Sequence, residues 1–126
     1  KEVMADLTYS LKGTITGGTG SAALALGRPA AGKTGTSQSN ASAWFSAYTP
    51  QLAASVALFR DSASESLNGI GGLTSVTGGT FPARIWTAFM KGALKGEPVM
   101  DFPAPSNIGG LDPVVMTSGG KQKPKP

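Results

Sequence analysis

The sequence predicts an α+β fold in which a helix precedes three antiparallel strands and a second helix follows them. Val3, Leu7, Leu11 and Ile15 recur every four residues, as on one face of an amphipathic helix that ends at a glycine pair. A second apolar stripe, in residues 80–96, predicts the other helix. Between them lie short segments rich in aromatic and β-branched residues, which are typical of strands. We therefore expect an antiparallel sheet packed by an N-terminal and a C-terminal helix.

The strands are assigned to residues 28–36, 43–48 and 52–60. The first is too short and too rich in glycine for a helix, and Pro29 lacks the N–H that a central strand needs, so we expect an edge position. The turn at residues 49–51 joins the other two strands into a hairpin. Because the third strand carries apolar residues on both of its faces, we expect it to be central, beside further strands that this chain does not contain.

The segments around the second helix give more local expectations. Residues 61–79 show neither a helical stripe nor an alternation and predict a long surface loop. Thr80 is expected to cap the helix, with Pro82 in its first turn. Trp86 and Phe89 are expected to belong to the core face of this helix.

The chain divides into a folded portion, residues 1–96, and a tail, residues 97–126. Prolines recur in this tail and lysines accumulate at its end, which predicts a linker or a disordered segment. Because the chain begins at Lys1 inside a helical pattern, we expect further sequence before it. No run approaches the roughly 20 apolar residues that cross a bilayer, so any membrane anchor is expected outside this chain.

Composition excludes several classes of chemistry. The chain contains no cysteine and no histidine, which removes disulfides, Cys–His and Ser–His pairs and most zinc or copper sites. We expect neither a metal nor a cofactor. The formal charge is +4, but Lys121, Lys123 and Lys125 lie in the last six residues, and without them it falls to +1. A basic end of this kind is usually solvated, so no nucleic-acid partner is expected.

Residues 27–34 fit the phosphate-loop pattern G-x-x-x-x-G-K-[ST] letter for letter. A phosphate loop works because it leads into a helix whose first N–H groups face the phosphates. The residues that follow Thr34 are glycine, threonine, serine, glutamine and asparagine, which are poor helix formers. A nucleotide-binding or non-catalytic binding module that uses residues 27–34 stays as the alternative function, and a helix beginning at Lys33 would favour it.

Lys33, Thr34, Gly35 and Thr36 also match the K-T-G motif of penicillin-binding proteins and active-serine β-lactamases. On an edge strand, the Lys33 ammonium and the threonine hydroxyls can hold the carboxylate of a peptide. Gly35 has no Cβ, so a substrate backbone can pair with the strand. The N–H of Thr36 can donate to an oxyanion. The candidate catalytic residues are Lys33 and Thr36, and the candidate substrate-binding residues are Lys33, Thr34, Gly35 and Thr36.

The surroundings of this motif resemble the transpeptidase domain of class A, bifunctional penicillin-binding proteins. The resemblance is carried by residues 27–36, 43–51 and 77–86, and it runs from about residue 3 to residue 96. It implies a partial penicillin-binding protein/β-lactamase-like transpeptidase fold. It also implies a serine acyltransferase that attacks the D-Ala-D-Ala end of a peptidoglycan stem peptide, with β-lactams as alternative acyl donors.

The same resemblance implies residue roles. Lys33 would contact the serine of an S-x-N motif and the substrate carboxylate, Thr34 and Thr36 would bind that carboxylate, and the Thr36 N–H would form half of the oxyanion hole. In the family, the nucleophilic S-x-x-K and the S-x-N motif both precede K-T-G, and neither stands there in this chain. Chance matches at residues 118–121 and 66–68 follow K-T-G and are given no role.

The resemblance also implies a cellular setting. The chain would be one part of an enzyme at the extracytoplasmic face of the bacterial membrane, inactive without the remainder of the transpeptidase domain. Its membrane connection would be an anchor outside this chain.

Overall fold

Two α-helices flank a three-stranded sheet in the computed structural model, which describes residues 1–108. Helix α1 spans Glu2–Thr16 and helix α2 spans Phe81–Ala93. The strands are β1 (Ala31–Thr36), β2 (Ser42–Tyr48) and β3 (Ala53–Phe59). The predicted α+β fold, an antiparallel sheet with a helix before and after it, is confirmed. Neither helix of this described part has the length and hydropathy to cross a membrane.

The strand order is β1-β2-β3, with antiparallel pairing throughout. Strand β1 therefore lies at a border of the sheet, as expected, but it begins at Ala31 rather than at residue 28. Residues 28–30 lie outside the strand, and Arg28 donates hydrogen bonds to the chain just beyond α2. Strand β3 forms the other border among the described strands, so no strand of residues 1–108 gives it the expected central position.

The main core lies between the sheet and α2. Alternate residues of β2, Ala43, Phe45 and Ala47, are buried on one face. The fully buried Trp86 packs edge-to-face on Phe45, with ring centroids 5.4 Å apart. Its indole N–H donates to the carbonyl oxygens of Ala47 (3.2 Å) and Ala54 (3.1 Å). One side chain thus ties α2 to both β2 and β3, and its aromatic pair contributes about 1 kcal/mol beyond area burial.

The apolar stripe predicted for α1 is buried only in part. Ile15 joins the main core, but Val3 and Leu7 are exposed. Thr8 is buried instead, and its hydroxyl lies 2.9 Å from the Tyr48 hydroxyl. Helix α1 therefore packs on the sheet partly through residues outside the predicted apolar stripe.

The buried face of α2 is displaced by one row from the expected face, since Ala83 and Thr87 are buried whereas Phe89 is not. Pro82, Trp86 and Met90 form a buried row at four-residue spacing. Phe89 lies on the neighbouring row and is 54% exposed, so its assignment to the core is wrong, whereas that of Trp86 is confirmed.

The start of α2 has the predicted position but a different cap. Thr80 occupies the N-cap position and Pro82 lies in the first turn. The Thr80 hydroxyl does not accept from a helix N–H; it donates to the Thr77 carbonyl at 2.7 Å and accepts from the Thr77 N–H. It therefore closes the turn that leads into the helix.

The segment between β3 and α2 is irregular, as predicted, apart from one short 3₁₀ turn at Ile70–Gly72. It is not only a surface loop, because Leu67 and Val76 are buried and pack with Ala43 in a second, smaller core. The Leu67 N–H donates to the Asn40 carbonyl at 2.8 Å, which fixes the segment to the chain beyond β1.

Residues 97–108 lie against the folded portion. The Phe102 ring meets Tyr48 edge-on, with centroids 5.5 Å apart, and Lys12 forms an ion pair with Asp101 at 3.6 Å. The predicted division at residue 96 stays a prediction. Most of the predicted tail, with the chance match at residues 118–121, lies outside the described residues.

Asp6 is expected to make the packing of this segment depend on pH. Its carboxylate accepts the N–H of Ile108, and those of Asn107 and Ser106, which lower its pKa against an opposing effect of desolvation. Because the folded-state pKa is lowered, the stabilisation is complete above the ordinary value of 3.8 and is lost as the pH falls through the lowered value. NMR signals of the three amides during an acid titration measure this loss.

The matched control for this titration is Asp6→Asn, which cannot titrate. In that variant the three amides should keep one set of shifts over the same acid range. Amides of the unsubstituted chain that do not respond to acid would contradict the assignment.

Candidate functional site

All four residues of the motif lie on β1, at the border of the sheet. Strand alternation places Lys33 and Gly35 on one face, and Thr34 and Thr36 on the other, the face that carries α2. Lys33 and Thr36 are exposed, and Thr34 and Gly35 are half-buried. Because the ammonium and the hydroxyls leave the strand on opposite faces, one ligand meets all of them only along the free border of β1.

The Lys33 ammonium reaches the backbone of its own strand, where it donates to the Thr34 carbonyl oxygen at 3.0 Å. In an antiparallel strand the N–H and C=O of one residue point to the same side, and the direction repeats every second residue. The Thr36 N–H therefore points to the same side of the strand as the carbonyl that Lys33 contacts. No acidic side chain among residues 1–108 forms an ion pair with Lys33.

The two threonine hydroxyls have partners outside the sheet. Thr34 Oγ1 lies 2.6 Å from Thr19 Oγ1, in the turn that follows α1. Thr36 Oγ1 accepts the N–H of Gly78 at 3.2 Å, in the segment that enters α2. Sequence reasoning missed both partners, since the only signal at either place was a local enrichment in glycine, which indicates a turn.

Two glycines allow the segment before α2 to approach β1 so closely. A Cβ at Gly78 would overlap the Trp44 carbonyl oxygen and would lie 2.9 Å from the Gly35 nitrogen. A Cβ at Gly79 would overlap the Thr19 carbonyl oxygen. Backbone therefore packs on backbone here, which only residues without a Cβ permit.

Gly35 differs from these two glycines. A Cβ there would meet only Trp44 Cβ, at 3.4 Å, on the Lys33 face of the sheet. The described part of the chain thus does not itself require glycine at this position. The absence of a side chain leaves room beside the half-exposed Trp44, on the surface that a ligand along the border would touch.

The phosphate-loop alternative is wrong. It requires a helix that begins at Lys33, but residues 31–36 form a strand, and the next element is a single 3₁₀ turn at Gln38–Asn40. A backbone extended in this way does not present consecutive N–H groups to a phosphate. Residues 1–108 also contain no group of three or more acidic side chains close enough to hold a metal ion.

Comparison with known proteins agrees with this geometry, although no family model matches the chain. Penicillin-binding protein 1A of Mycolicibacterium smegmatis is 38% identical over 114 residues, which cover 86% of this chain and 14% of that protein. The structure of the penicillin-binding protein PonA1 from Mycobacterium tuberculosis aligns with a TM-score of 0.77 and 33% identity, over 98% of this chain and 34% of that chain. PonA1 in complex with penicillin V aligns with a TM-score of 0.76 and 35% identity, over 87% and 30%.

The chain therefore belongs to the penicillin-binding proteins, and its α+β fold is part of theirs. Within that family it matches a portion of the transpeptidase domain of the class A proteins, and the relatives compared are penicillin-binding proteins 1A. It spans only 14% of the length of the M. smegmatis relative.

Gly78→Ala is expected to destabilise the chain by about 1–3 kcal/mol, because the added methyl group forces the backbone of the helix entry away from β1. Gly13→Ala is the matched control. Apart from its chain neighbours and the backbone of its own helix, no atom lies within 4 Å of the added carbon there, and alanine in place of glycine in a helix should stabilise by about 0.5–1 kcal/mol. Urea midpoints of both variants measure the effects, and equal midpoints would contradict the close contact at Gly78.

Proposed function

We propose that this chain supplies the substrate-binding and oxyanion strand of a peptidoglycan D,D-transpeptidase that works through a serine acyl-enzyme. The observation that carries the proposal is the Lys-Thr-Gly-Thr sequence on the free border of β1. The PonA1 relative, whose structure holds penicillin V, supports β-lactams as ligands. The stem peptide that ends in D-Ala-D-Ala is the proposed natural ligand.

The proposed roles follow from charge and hydrogen-bonding capacity. The Lys33 ammonium supplies the positive charge for the ligand carboxylate and for the serine of an S-x-N motif. The Thr34 and Thr36 hydroxyls donate to the same carboxylate. Gly35 lets the ligand backbone lie against the strand, and the Thr36 N–H donates to the oxyanion as the carbonyl carbon is attacked.

The nucleophile is assigned to sequence outside this chain. Among the described residues, the S-x-N match at residues 66–68 has structural contacts: the Ser66 carbonyl accepts from Arg60, Leu67 is buried, and Asn68 accepts from the Asn40 side chain. We therefore propose that the remainder of a transpeptidase domain is the obligatory partner. The enzyme would act at the extracytoplasmic face of the membrane, reach the membrane only through an anchor outside this chain, and use neither a cofactor nor nucleic acid.

Lys33→Ala is expected to weaken binding of N-acetyl-D-alanyl-D-alanine to the full chain by roughly tenfold or more, because a charge-assisted contact contributes about 1.5–3 kcal/mol. The amide signals of Gly35 and Thr36 during an NMR titration report the binding. The same peptide with a carboxamide end should bind weakly to both forms, since it carries no charge.

Lys91→Ala, which removes an exposed lysine of α2, is the charge-matched control and should bind like the unsubstituted chain. Equal affinity of the unsubstituted chain for the carboxylate and carboxamide peptides would overturn the proposed role of β1.

The full chain incubated with a fluorescent penicillin is expected to form no covalent adduct, because the proposed acyl-enzyme serine is not in it. Denaturing electrophoresis followed by fluorescence detection measures this, with an intact penicillin-binding protein as the positive control. A stable adduct on this chain would show that one of its own serines is the nucleophile.

A further inference from the structure

The inference concerns the side of Thr34 and Thr36 that faces away from a ligand. A threonine hydroxyl has one proton and two lone pairs. A carboxylate only accepts hydrogen bonds, so a hydroxyl that binds a carboxylate must donate its single O–H to it. That proton is available to a ligand only where the neighbouring protein group donates to the hydroxyl and does not accept from it.

At Thr36 the protein uses one lone pair of the hydroxyl oxygen and leaves the hydroxyl proton without an acceptor among the described residues. Its oxygen accepts the N–H of Gly78 at 3.2 Å, and a backbone N–H can only donate. No hydrogen bond among the described residues takes the Thr36 hydroxyl proton. Because the Gly78 N–H occupies the oxygen as a donor, the O–H of the exposed Thr36 side chain is available to a ligand.

At Thr34 the partner is another hydroxyl, Thr19 Oγ1, at 2.6 Å, and either oxygen can be the donor. A carboxylate bound to Thr34 removes this ambiguity. The carboxylate accepts the hydrogen bond that the Thr34 hydroxyl donates, and the Thr19 hydroxyl must then donate to Thr34 Oγ1. The result is a chain of donors from Thr19 through Thr34 to the carboxylate, in which each hydrogen bond polarises the next.

Backbone contacts hold Thr19 in place for this task. The N–H of Gly20 donates to the Thr14 carbonyl at 2.9 Å, which folds the turn back on the end of α1. Gly79 lies directly against the Thr19 carbonyl oxygen. The same glycine-rich entry to α2 therefore positions Thr19 and, through Gly78, donates to Thr36.

We propose that Thr19 and the Gly78 N–H are positioning groups that turn the Thr34 and Thr36 protons toward a ligand carboxylate. The inference rests on the proposed function, because it takes a carboxylate on β1 as the ligand. In the proposed arrangement Thr19 contacts Thr34 and not the ligand. It acts through Thr34, and the loss of its hydroxyl should weaken binding of a carboxylate without changing binding of a neutral end group.

The test is an NMR titration of the full chain with N-acetyl-D-alanyl-D-alanine and with its carboxamide form. Thr19→Val removes the backing hydroxyl and should weaken carboxylate binding roughly three- to tenfold while leaving the carboxamide affinity unchanged. Thr19→Ser keeps a hydroxyl and should restore the affinity. Thr16→Val is the matched control, because the Thr16 hydroxyl is exposed and donates only to its own helix, at the Lys12 carbonyl.

The outcomes separate this inference from the function on which it rests. If the unsubstituted chain does not prefer the carboxylate peptide, the proposed function fails. If it does and Thr19→Val binds both peptides as the unsubstituted chain does, the role of Thr19 alone is overturned. Equal weakening of both peptides in Thr19→Val, or no recovery in Thr19→Ser, would mean that Thr19 only supports the fold, and would also overturn it.

Discussion

The indole of Trp86 is the contact on which the geometry of this chain depends. It packs on Phe45 and donates one N–H to carbonyls of two neighbouring strands, so α2 cannot slide along the sheet without leaving a buried donor unpaired. A fixed helix also fixes the segment that enters it. Gly78 and Gly79 are thereby held against β1 and the turn after α1. The packing of Trp86 in the core therefore determines the positions of the backbone groups at the candidate site.

The border strand combines two environments. On the α2 face, Thr34 and Thr36 are backed by hydrogen-bonding groups of the protein, whereas on the other face Lys33 is exposed and Gly35 carries no side chain. A hydrogen-bonded side next to an exposed ammonium is what the proposed function requires of a strand that binds a peptide carboxylate. It agrees with the family to which the chain belongs, in which a solved structure holds penicillin V.

The elements could be predicted because their signals are local. Two segments rich in aromatic, β-branched and small apolar residues, joined by a turn at residues 49–51, located the β2–β3 hairpin to within one residue at each end. Tertiary contacts left no such signal. Phe89 and Trp86 lie on adjacent rows of one helix and are equally apolar, so only packing decides which is buried. The Thr19–Thr34 contact joins two hydroxyls from different elements, and no periodicity marks it. The motif was found through its resemblance to a family.

Arg28 connects the chain that enters β1 with the chain that leaves α2. Its guanidinium donates to the carbonyls of Leu94, Glu97 and Pro98, just beyond α2, while its backbone leads directly into β1. Proteolytic clipping after residue 96 would remove two of these three acceptors and release the leading end of the border strand. Trimming at the carboxyl-terminal side of α2 would therefore loosen the candidate binding strand, although the cut lies far from it in sequence. The smallest unit that keeps this strand anchored extends past α2.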